Sequence, residues 1–162
     1  MDDVTNERLD ALNGAMDVLD LFTQGKVHVG QGRMPAVVFD IDDTLIDSTT
    51  RSSIIPMVLV YRKIQKMNIP IFIITARSNV FLKETHTELR QHRITGYQNL
   101  YMVGHDLRTT PGSFIEDKNM RKAKARQQVE SQGYDILLNI GDDPGDMMHG
   151  HYMYGIKLPY LY

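Results

Sequence analysis

The fold is decided by residues 37–48, which read VVFDIDDTLIDS. Three apolar residues run directly into four aspartates, at positions 40, 42, 43 and 47. A short apolar run bounded by turn-forming residues is typical of a buried strand. The stretch therefore predicts a buried strand with an unusual concentration of carboxylates at its carboxyl end.

Short apolar runs alternate with longer mixed segments from residue 36 onward. Nearly continuous apolar runs predict parallel strands covered on both faces, and the mixed segments predict helices. The predicted strands are 36–41, 69–75, 99–103, 135–140 and 155–159. The predicted helices are about 51–67, 79–93 and 114–132, with a shorter one after Pro144 and a capping box at Ser113 and Glu116. This alternation indicates an α/β fold, a Rossmann-like doubly wound parallel sheet of about five strands with helices on both faces.

The first 33 residues predict a helix and a loop that pack on this core. Apolar residues recur at spacings of three and four along residues 5–23, which is typical of an amphipathic helix, and residues 25–33 form the loop. A length of 162 residues suits a single domain spanning 1–162. Segments 43–68 and 76–117 leave no room for a folded insert, so we expect little or no cap domain.

Composition narrows the classes of partner. Lys and Arg total 18 against 20 Asp and Glu, so no excess of positive charge favours nucleic acid or an anionic membrane. Cysteine is absent, which excludes disulfides and zinc–thiolate sites. The N-terminal residues lack the pattern of a secretion signal, and no apolar run has the length of a membrane span. We therefore expect a cytoplasmic protein.

Polar residues that follow the predicted strands should meet, because the carboxyl ends of parallel strands form the ligand-binding edge of such sheets. Asp40 and Asp42 follow the first strand, Thr75 ends the second, and Asp142 follows the fourth. Carboxylates brought together repel one another, and oxygen ligands favour Mg²⁺ as the compensating cation. Thr75 and a lysine could hold phosphoryl oxygens while one carboxylate attacks phosphorus, so the pattern indicates a site that processes an anion.

Four ordered motifs resemble those of the haloacid dehalogenase superfamily. They are Asp40-Ile41-Asp42-Asp43-Thr44, Thr75, an upstream lysine, and Gly141-Asp142-x-x-x-Asp146. Within this superfamily, ARQQVESQGYDILLNIGDDPGD and GIKLPYLY are similar to the acid phosphatases of the plant and bacterial class B type. The resemblance covers roughly residues 34–162.

The resemblance implies a role for each matching residue. Asp40 would be the nucleophile that forms an aspartyl-phosphate, and Asp42 would protonate the leaving oxygen and then activate water. Thr75 and Lys122 would bind the phosphoryl group. The Mg²⁺ ligands would be Asp40, the backbone carbonyl of Asp42, and Asp142, with Asp146 holding a metal-bound water or the lysine.

Several assignments stay open at the level of sequence. Alignment places the phosphate-binding lysine at Lys122, but Lys118 lies one helical turn earlier on the same face, and Lys124 is a third candidate. Arg77 could contact substrate or form a structural ion pair. Asp143 precedes Pro144 and could be only a helix N-cap. Asp43 is expected to be an exposed turn residue, and Asp47 a cap or loop residue.

These patterns predict a Mg²⁺-dependent phosphomonoester hydrolase that acts through an aspartyl-phosphate on a small phosphorylated substrate. An uncapped site could also admit a larger one, so a nucleotidase or polynucleotide 3′-phosphatase is the alternative enzyme. A non-catalytic phosphate-binding module is the alternative outside catalysis. Nucleic acid and membranes are not expected as partners, and the sequence does not fix the oligomeric state.

Overall fold

A computed structural model of the chain describes residues 2–104 and 114–161, and of residues 114–117 it describes the backbone alone. The capping box predicted at Ser113 and Glu116 therefore lies outside the described residues. The helices are α1 (Asp3–Thr23), α2 (Ile55–Lys66), α3 (Leu82–Gln91) and α4 (Phe114–Ser131). The strands are β1 (Met34–Phe39), β2 (Ile71–Thr75), β3 (Asn99–Met102), β4 (Tyr134–Gly141) and β5 (Tyr154–Lys157).

The five strands form one sheet in the order β3-β2-β1-β4-β5, and every described pair is parallel. The chain winds outward from β1 in one direction through β2 and β3, and then returns to the other side of β1 with β4 and β5. The strand order thus reverses between β1 and β4, which is where ligands bind in open α/β sheets. This confirms the predicted Rossmann-like doubly wound sheet.

Alternate residues of the central strands supply two cores. On one face, Val37 and Phe39 of β1 and Ile71 and Ile73 of β2 pack with buried residues of α1, α2 and α3. On the other face, the neighbouring residues of the same strands pack against α4 through Ala125 and Val129. Because strand side chains alternate between the two faces, a continuous apolar run is what a strand covered on both sides requires.

Two predicted helices begin later than the sequence pattern suggested. The first was expected from about residue 51, but Ser53 pairs with Ile46 and the Ile54 amide donates to Leu45, so α2 begins at Ile55. Pro56 then occupies the first turn, where its missing N–H costs nothing. The second was expected from residue 79, where a 3₁₀ turn at Asn79–Phe81 precedes α3. No helix in the described part of the chain is long and apolar enough to cross a bilayer.

Candidate active site

The predicted carboxylates meet where the strand order reverses. The Asp40 amide donates to the carbonyl of Ile140 on β4 at 2.9 Å, so β1 and β4 deliver Asp40 and Asp142 to the same edge of the sheet. One carboxylate oxygen from each of Asp40, Asp142 and Asp146 lies within 4.8 Å of the others. All three residues are buried, with between 3% and 8% of their surface exposed.

A buried lysine lies among these carboxylates. The Lys122 ammonium on α4 donates to Asp146 Oδ1 at 2.5 Å and to Asp40 Oδ1 at 3.2 Å. Only 4% of Lys122 is exposed. A lysine at this depth is stable as a cation only when charges of opposite sign contact it. The two carboxylates supply that compensation, and Lys122 connects the end of β1 to the loop after β4.

The donor set fits a divalent cation. Three carboxylates against one ammonium leave a formal excess of two negative charges in a buried space. The donors are all oxygens, which hard cations such as Mg²⁺ prefer. The position of a metal ion is thus compatible with Asp40, Asp142 and Asp146, whereas the carboxylate of Asp42 lies outside this cluster.

The protonation behaviour of the cluster has one dominant cause. Burial raises the pKa of Asp142 to about 6, and the nearby Asp146 and Asp43 charges add to that effect. Burial also raises the pKa of Asp40 well above its usual value, although Lys122 opposes the shift. For Lys122, burial favours the neutral amine, but Asp40 and Asp146 outweigh it and the pKa is raised. The lysine therefore stays charged, and a bound cation would favour the ionised carboxylates.

The loop after β4 is built to present Asp146. Asp143 is the N-cap of a short 3₁₀ turn, Pro144–Met147, and forms a reciprocal capping box with Asp146. This supports the interpretation of Asp143 as a cap. Gly141 ends β4 directly beside Asp146, and a side chain there would collide with that carboxylate. The close approach explains why glycine occupies this position.

Arg126 holds the same loop from α4, and the motif assignments left it without a role. Its guanidinium donates to the carbonyls of Asp146 at 3.0 Å, Met148 at 2.5 Å and Gly150 at 2.9 Å. Only 1% of Arg126 is exposed. A sequence signal for it exists, because Arg126 follows Lys122 by four residues and so lies on the same helix face. One face of α4 thus supplies both the ammonium and the support of the loop that it contacts.

Asp42 lies in the same cleft as Asp40 but has a different partner. Arg77 Nε donates to Asp42 Oδ2 at 2.9 Å, and a terminal nitrogen donates to Oδ1 at 2.7 Å. Of the two roles considered for Arg77, the structure shows the ion pair, and it is bidentate. Thr75 is buried at the end of β2, and its hydroxyl accepts from the Arg77 amide at 3.2 Å.

A cleft of about 320 Å³ joins these groups. It is lined by Asp40, Asp42, Thr75, Lys122 and Asp142, together with Asp43, Ser48, Ala76, Arg77, Lys118, Asp143 and Tyr160. Every predicted catalytic and phosphate-binding residue therefore faces one space. Asp146 does not line this cleft, but it contacts Lys122, which does.

The turn after β1 uses the two remaining aspartates. Asp43 has a positive φ of 57° and accepts from the amide and hydroxyl of Ser48, at 2.8 and 2.7 Å. It is a turn residue as expected, but only 3% of it is exposed, because the turn folds over its carboxylate. Asp47 is a loop residue, as expected, and accepts from the amides of Thr49 and Thr50.

The three lysines that the sequence left as alternatives occupy different surroundings. Lys122 contacts Asp40 and Asp146, whereas Lys118 donates to Asp143 at 2.7 Å at the side of the cleft. Lys124 is exposed and lines a separate surface groove. The geometry therefore favours Lys122 as the lysine nearest the proposed nucleophile.

A family model described as the haloacid dehalogenase (HAD) superfamily, subfamily IIIB (acid phosphatase) matches residues 46–160. The chain belongs to this family. Membership of HAD subfamily IIIB confirms the resemblance inferred from the four motifs. No curated protein matches the chain.

Solved structures with the same fold include an acid phosphatase and part of an RNA repair complex. The class C acid phosphatase from Bacillus anthracis has a TM-score of 0.65 at 17% identity, over 90% of this chain and 65% of that chain. A chain of the Pnkp1/Rnl/Hen1 RNA repair complex has a TM-score of 0.66 at 14% identity, over 83% of this chain and 45% of that one. This HAD chain therefore spans about two thirds or less of the structures that it resembles, and at these identities the likeness shows the fold alone.

Proposed function

We propose that the protein is a Mg²⁺-dependent phosphomonoester hydrolase that acts through an aspartyl-phosphate on Asp40. The observation that supports it is the convergence of three buried carboxylates and the buried Lys122 at the ends of β1 and β4. Membership of HAD subfamily IIIB adds support, because its description names acid phosphatases. We further propose that residues 1–162 form one catalytic domain that acts in the cytoplasm.

The first half of the reaction transfers the phosphoryl group to the protein. An Asp40 oxygen attacks phosphorus, the bond from phosphorus to the leaving oxygen breaks, and Asp42 donates a proton to that oxygen. Lys122 and Thr75 hold the phosphoryl oxygens, and the positive charge of Lys122 stabilises the negative charge that develops there. Asp42 suits this role, because its side chain is 37% exposed in the cleft and can reach a leaving group on the solvent side.

The second half releases phosphate. Asp42 takes a proton from a water molecule whose oxygen attacks phosphorus, and the bond to Asp40 breaks to restore its carboxylate. Mg²⁺ held by Asp40, Asp142 and the backbone carbonyl of Asp42 would neutralise phosphoryl charge and orient the substrate. Asp146 keeps Lys122 in place through the contact already described. The presence of both Asp40 and Asp42 favours phosphatase chemistry over phosphate binding alone.

Release of phosphate from an aryl phosphate tests this proposal. We expect the purified protein to hydrolyse 4-nitrophenyl phosphate in Mg²⁺, and to lose that activity in EDTA or as Asp40→Asn. Asp17→Asn is the matched control, because Asp17 is an exposed aspartate on α1. Hydrolysis that survives both chelation and Asp40→Asn would contradict the proposal. Binding of fluoroberyllate without turnover of any ester in a broad panel would favour a phosphate-binding module.

A nucleotidase or polynucleotide 3′-phosphatase is the second candidate. It is supported by the fold shared with a chain of a complex described as an RNA repair complex. The near balance of basic and acidic residues speaks against a long nucleic-acid track. Nucleoside monophosphates and 3′-phosphorylated oligonucleotides, assayed beside small sugar and aryl phosphates, separate the two candidates through their kcat/KM values.

A further inference from the structure

A second carboxylate lies behind the Asp42–Arg77 pair. Glu88 on α3 accepts from Arg77 at 2.8 Å through one oxygen, and its other oxygen accepts from Arg51. The side chains of Arg77 and Glu88 are only 15% and 19% exposed. No sequence pattern indicated this contact, because Glu88 lies in no motif and its partners lie 11 and 37 positions away.

The contacts form a chain from the helix to the cleft. Thr85, one turn before Glu88 and 1% exposed, lies 3.4 Å from the same Arg77 nitrogen that contacts Glu88. The remaining guanidinium nitrogens of Arg77 hold both oxygens of Asp42. Nη1 of Arg77 donates toward α3, whereas Nε and Nη2 donate side by side toward Asp42. The position of α3 therefore determines where Arg77 lies, and Arg77 determines where the Asp42 carboxylate lies.

This arrangement matters because Arg77 binds both oxygens of the Asp42 carboxylate, at 2.9 and 2.7 Å, whereas Arg51 lies 3.9 Å from Oδ1. The Asp42 side chain is the most exposed of those in the ion-pair chain apart from Arg51, and it follows β1 in a turn rather than in the sheet. A planar guanidinium that binds both carboxylate oxygens fixes the plane of the carboxylate as well as its distance. Arg77, in turn, is a long flexible side chain whose own position needs a partner.

Arg51 connects the turn after β1 to the Glu88 carboxylate. Its backbone is in the left-handed region, with φ of 59°, and its guanidinium lies 3.9 Å from Asp42 Oδ1 while it donates to Glu88. Glu88 thus accepts from one arginine of the 47–53 loop and one arginine that follows β2. The carboxylate joins the two segments that flank Asp42.

We propose that Glu88 is a positioning residue for the general acid Asp42, acting through Arg77. The inference rests on the proposed function, since it assigns Asp42 the proton transfer to the leaving oxygen. Without the Glu88 carboxylate, Arg77 loses one of its two anionic partners, and the Asp42 carboxylate loses its fixed orientation. The loss of rate is then largest for substrates whose leaving oxygen most needs a proton from Asp42.

The leaving group provides the readout. Phenyl phosphate releases a more basic oxygen than 4-nitrophenyl phosphate and so depends more on general-acid assistance. The ratio of kcat/KM for these two esters reports proton donation in the step that phosphorylates Asp40. A merely structural role of Glu88 would lower kcat/KM for both esters by the same factor, whereas misplacement of Asp42 changes the ratio.

The experiment compares Glu88→Gln with Glu84→Gln in Mg²⁺ on both esters. Glu84 is the matched control, because it lies one turn earlier on α3, is exposed, and lines the same surface groove as Glu88. We expect Glu88→Gln to lower kcat/KM for phenyl phosphate about tenfold more than for the nitrophenyl ester. Glu84→Gln should leave the ratio unchanged, and thermal unfolding establishes that both variants are folded.

A second variant tests the contact between Arg77 and Asp42, which follows that between Glu88 and Arg77. Arg77→Lys keeps the charge but loses the bidentate contact, so it should change the ratio in the same direction, and the double variant should add little. A folded Glu88→Gln or Arg77→Lys protein with the wild-type ratio overturns the positioning role while leaving the phosphatase proposal intact. A wild-type protein that hydrolyses neither ester overturns the phosphatase proposal, and the positioning role with it.

Discussion

Lys122 and Asp40 are 82 positions apart in the chain, yet the lysine ammonium donates to the aspartate carboxylate at 3.2 Å in a buried space. The contact brings a cation from α4 to the carboxylate proposed to attack phosphorus. The same contact distinguishes Lys122 from Lys118, because Lys118 pairs with Asp143 instead.

The first prediction distinguishes the two lysines. Lys122→Met should lower kcat/KM by about 10²–10³-fold, because it removes the cation beside the attacking group. Lys118→Met should lower it less than about tenfold, since its pair with Asp143 lies at the side of the cleft. Initial rates with 4-nitrophenyl phosphate give both values, and exposed Lys124→Met serves as the control. An effect of Lys118→Met equal to or larger than that of Lys122→Met would show that the lysine is wrongly assigned.

The second prediction concerns the cost of the buried carboxylates without metal. Burial raises the pKa of Asp142 from 3.8 to about 6, so the folded protein binds the proton more tightly than the unfolded chain. This contribution to stability is complete below pH 3.8 and is lost as the pH rises through about 6. At neutral pH the ionised, buried Asp142 carboxylate therefore destabilises the folded protein, and Asp142→Asn removes that destabilisation. In EDTA, its free energy of unfolding should exceed that of the wild type by about 1–2 kcal/mol at neutral pH.

Urea unfolding at acidic and neutral pH measures this difference, which should shrink toward pH 4. Mg²⁺ should raise the unfolding temperature of the wild-type protein and have a much smaller effect on Asp142→Asn. A difference between the two proteins that stays constant with pH would show that Asp142 ionisation is not its source.

A third prediction follows from the position of Gly141. Gly141→Ala places a methyl group against the Asp146 carboxylate, which must then move away from Lys122. We expect Mg²⁺ affinity to fall about tenfold or more, as for other residues that support metal ligands. Calorimetric titration with Mg²⁺ measures the change. Gly14→Ala is the control, because its added methyl group would make an ordinary contact at 3.4 Å with Ile156. An unchanged Mg²⁺ affinity in Gly141→Ala would contradict this prediction, because it would show that the position of Asp146 does not affect metal binding.

A fourth prediction concerns a loop remote from the cleft. Asp135 accepts from the Gly30 amide at 2.7 Å and from Arg33 at 3.0 Å, and these contacts lower its pKa. Its stabilising effect is therefore present above the unfolded pKa of 3.8 and is lost as the pH falls through the lower folded value. Asp135→Asn should destabilise the protein at neutral pH and have less effect near pH 3. Thermal unfolding at both pH values tests this, and equal destabilisation at both would contradict it.

The sequence was sufficient for the sheet and for the edge where the site lies. Apolar runs before Asp40 and Asp142 marked strands, and parallel strands necessarily deliver their carboxyl ends to one edge. Helical periodicity, by contrast, placed Lys118 and Lys122 on one face and could not choose between them. The choice depends on where α4 crosses the end of β1, which is a property of the packed structure.

Contacts between distant segments could not be predicted from local patterns. The start of α2 at Ile55 depends on pairing between Ser53 and Ile46, which withdraws residues 51–54 from the helix. The partners of Arg77 depend on how α3 packs beside the turn after β1. Glu88 carries no motif, and a single charged residue on a helix most often faces solvent.

The most direct measurement concerns the proposed intermediate on Asp40. The protein is mixed with 4-nitrophenyl phosphate and Mg²⁺, quenched in acid within the first turnover, and treated with borohydride, which reduces an acyl phosphate to an alcohol. Peptide mass spectrometry should then find homoserine in place of Asp40 in the wild-type protein, and no such conversion when substrate is omitted. Conversion at another aspartate would contradict the mechanism. So would rapid release of phosphate before the quench with no conversion at Asp40 at any quench time.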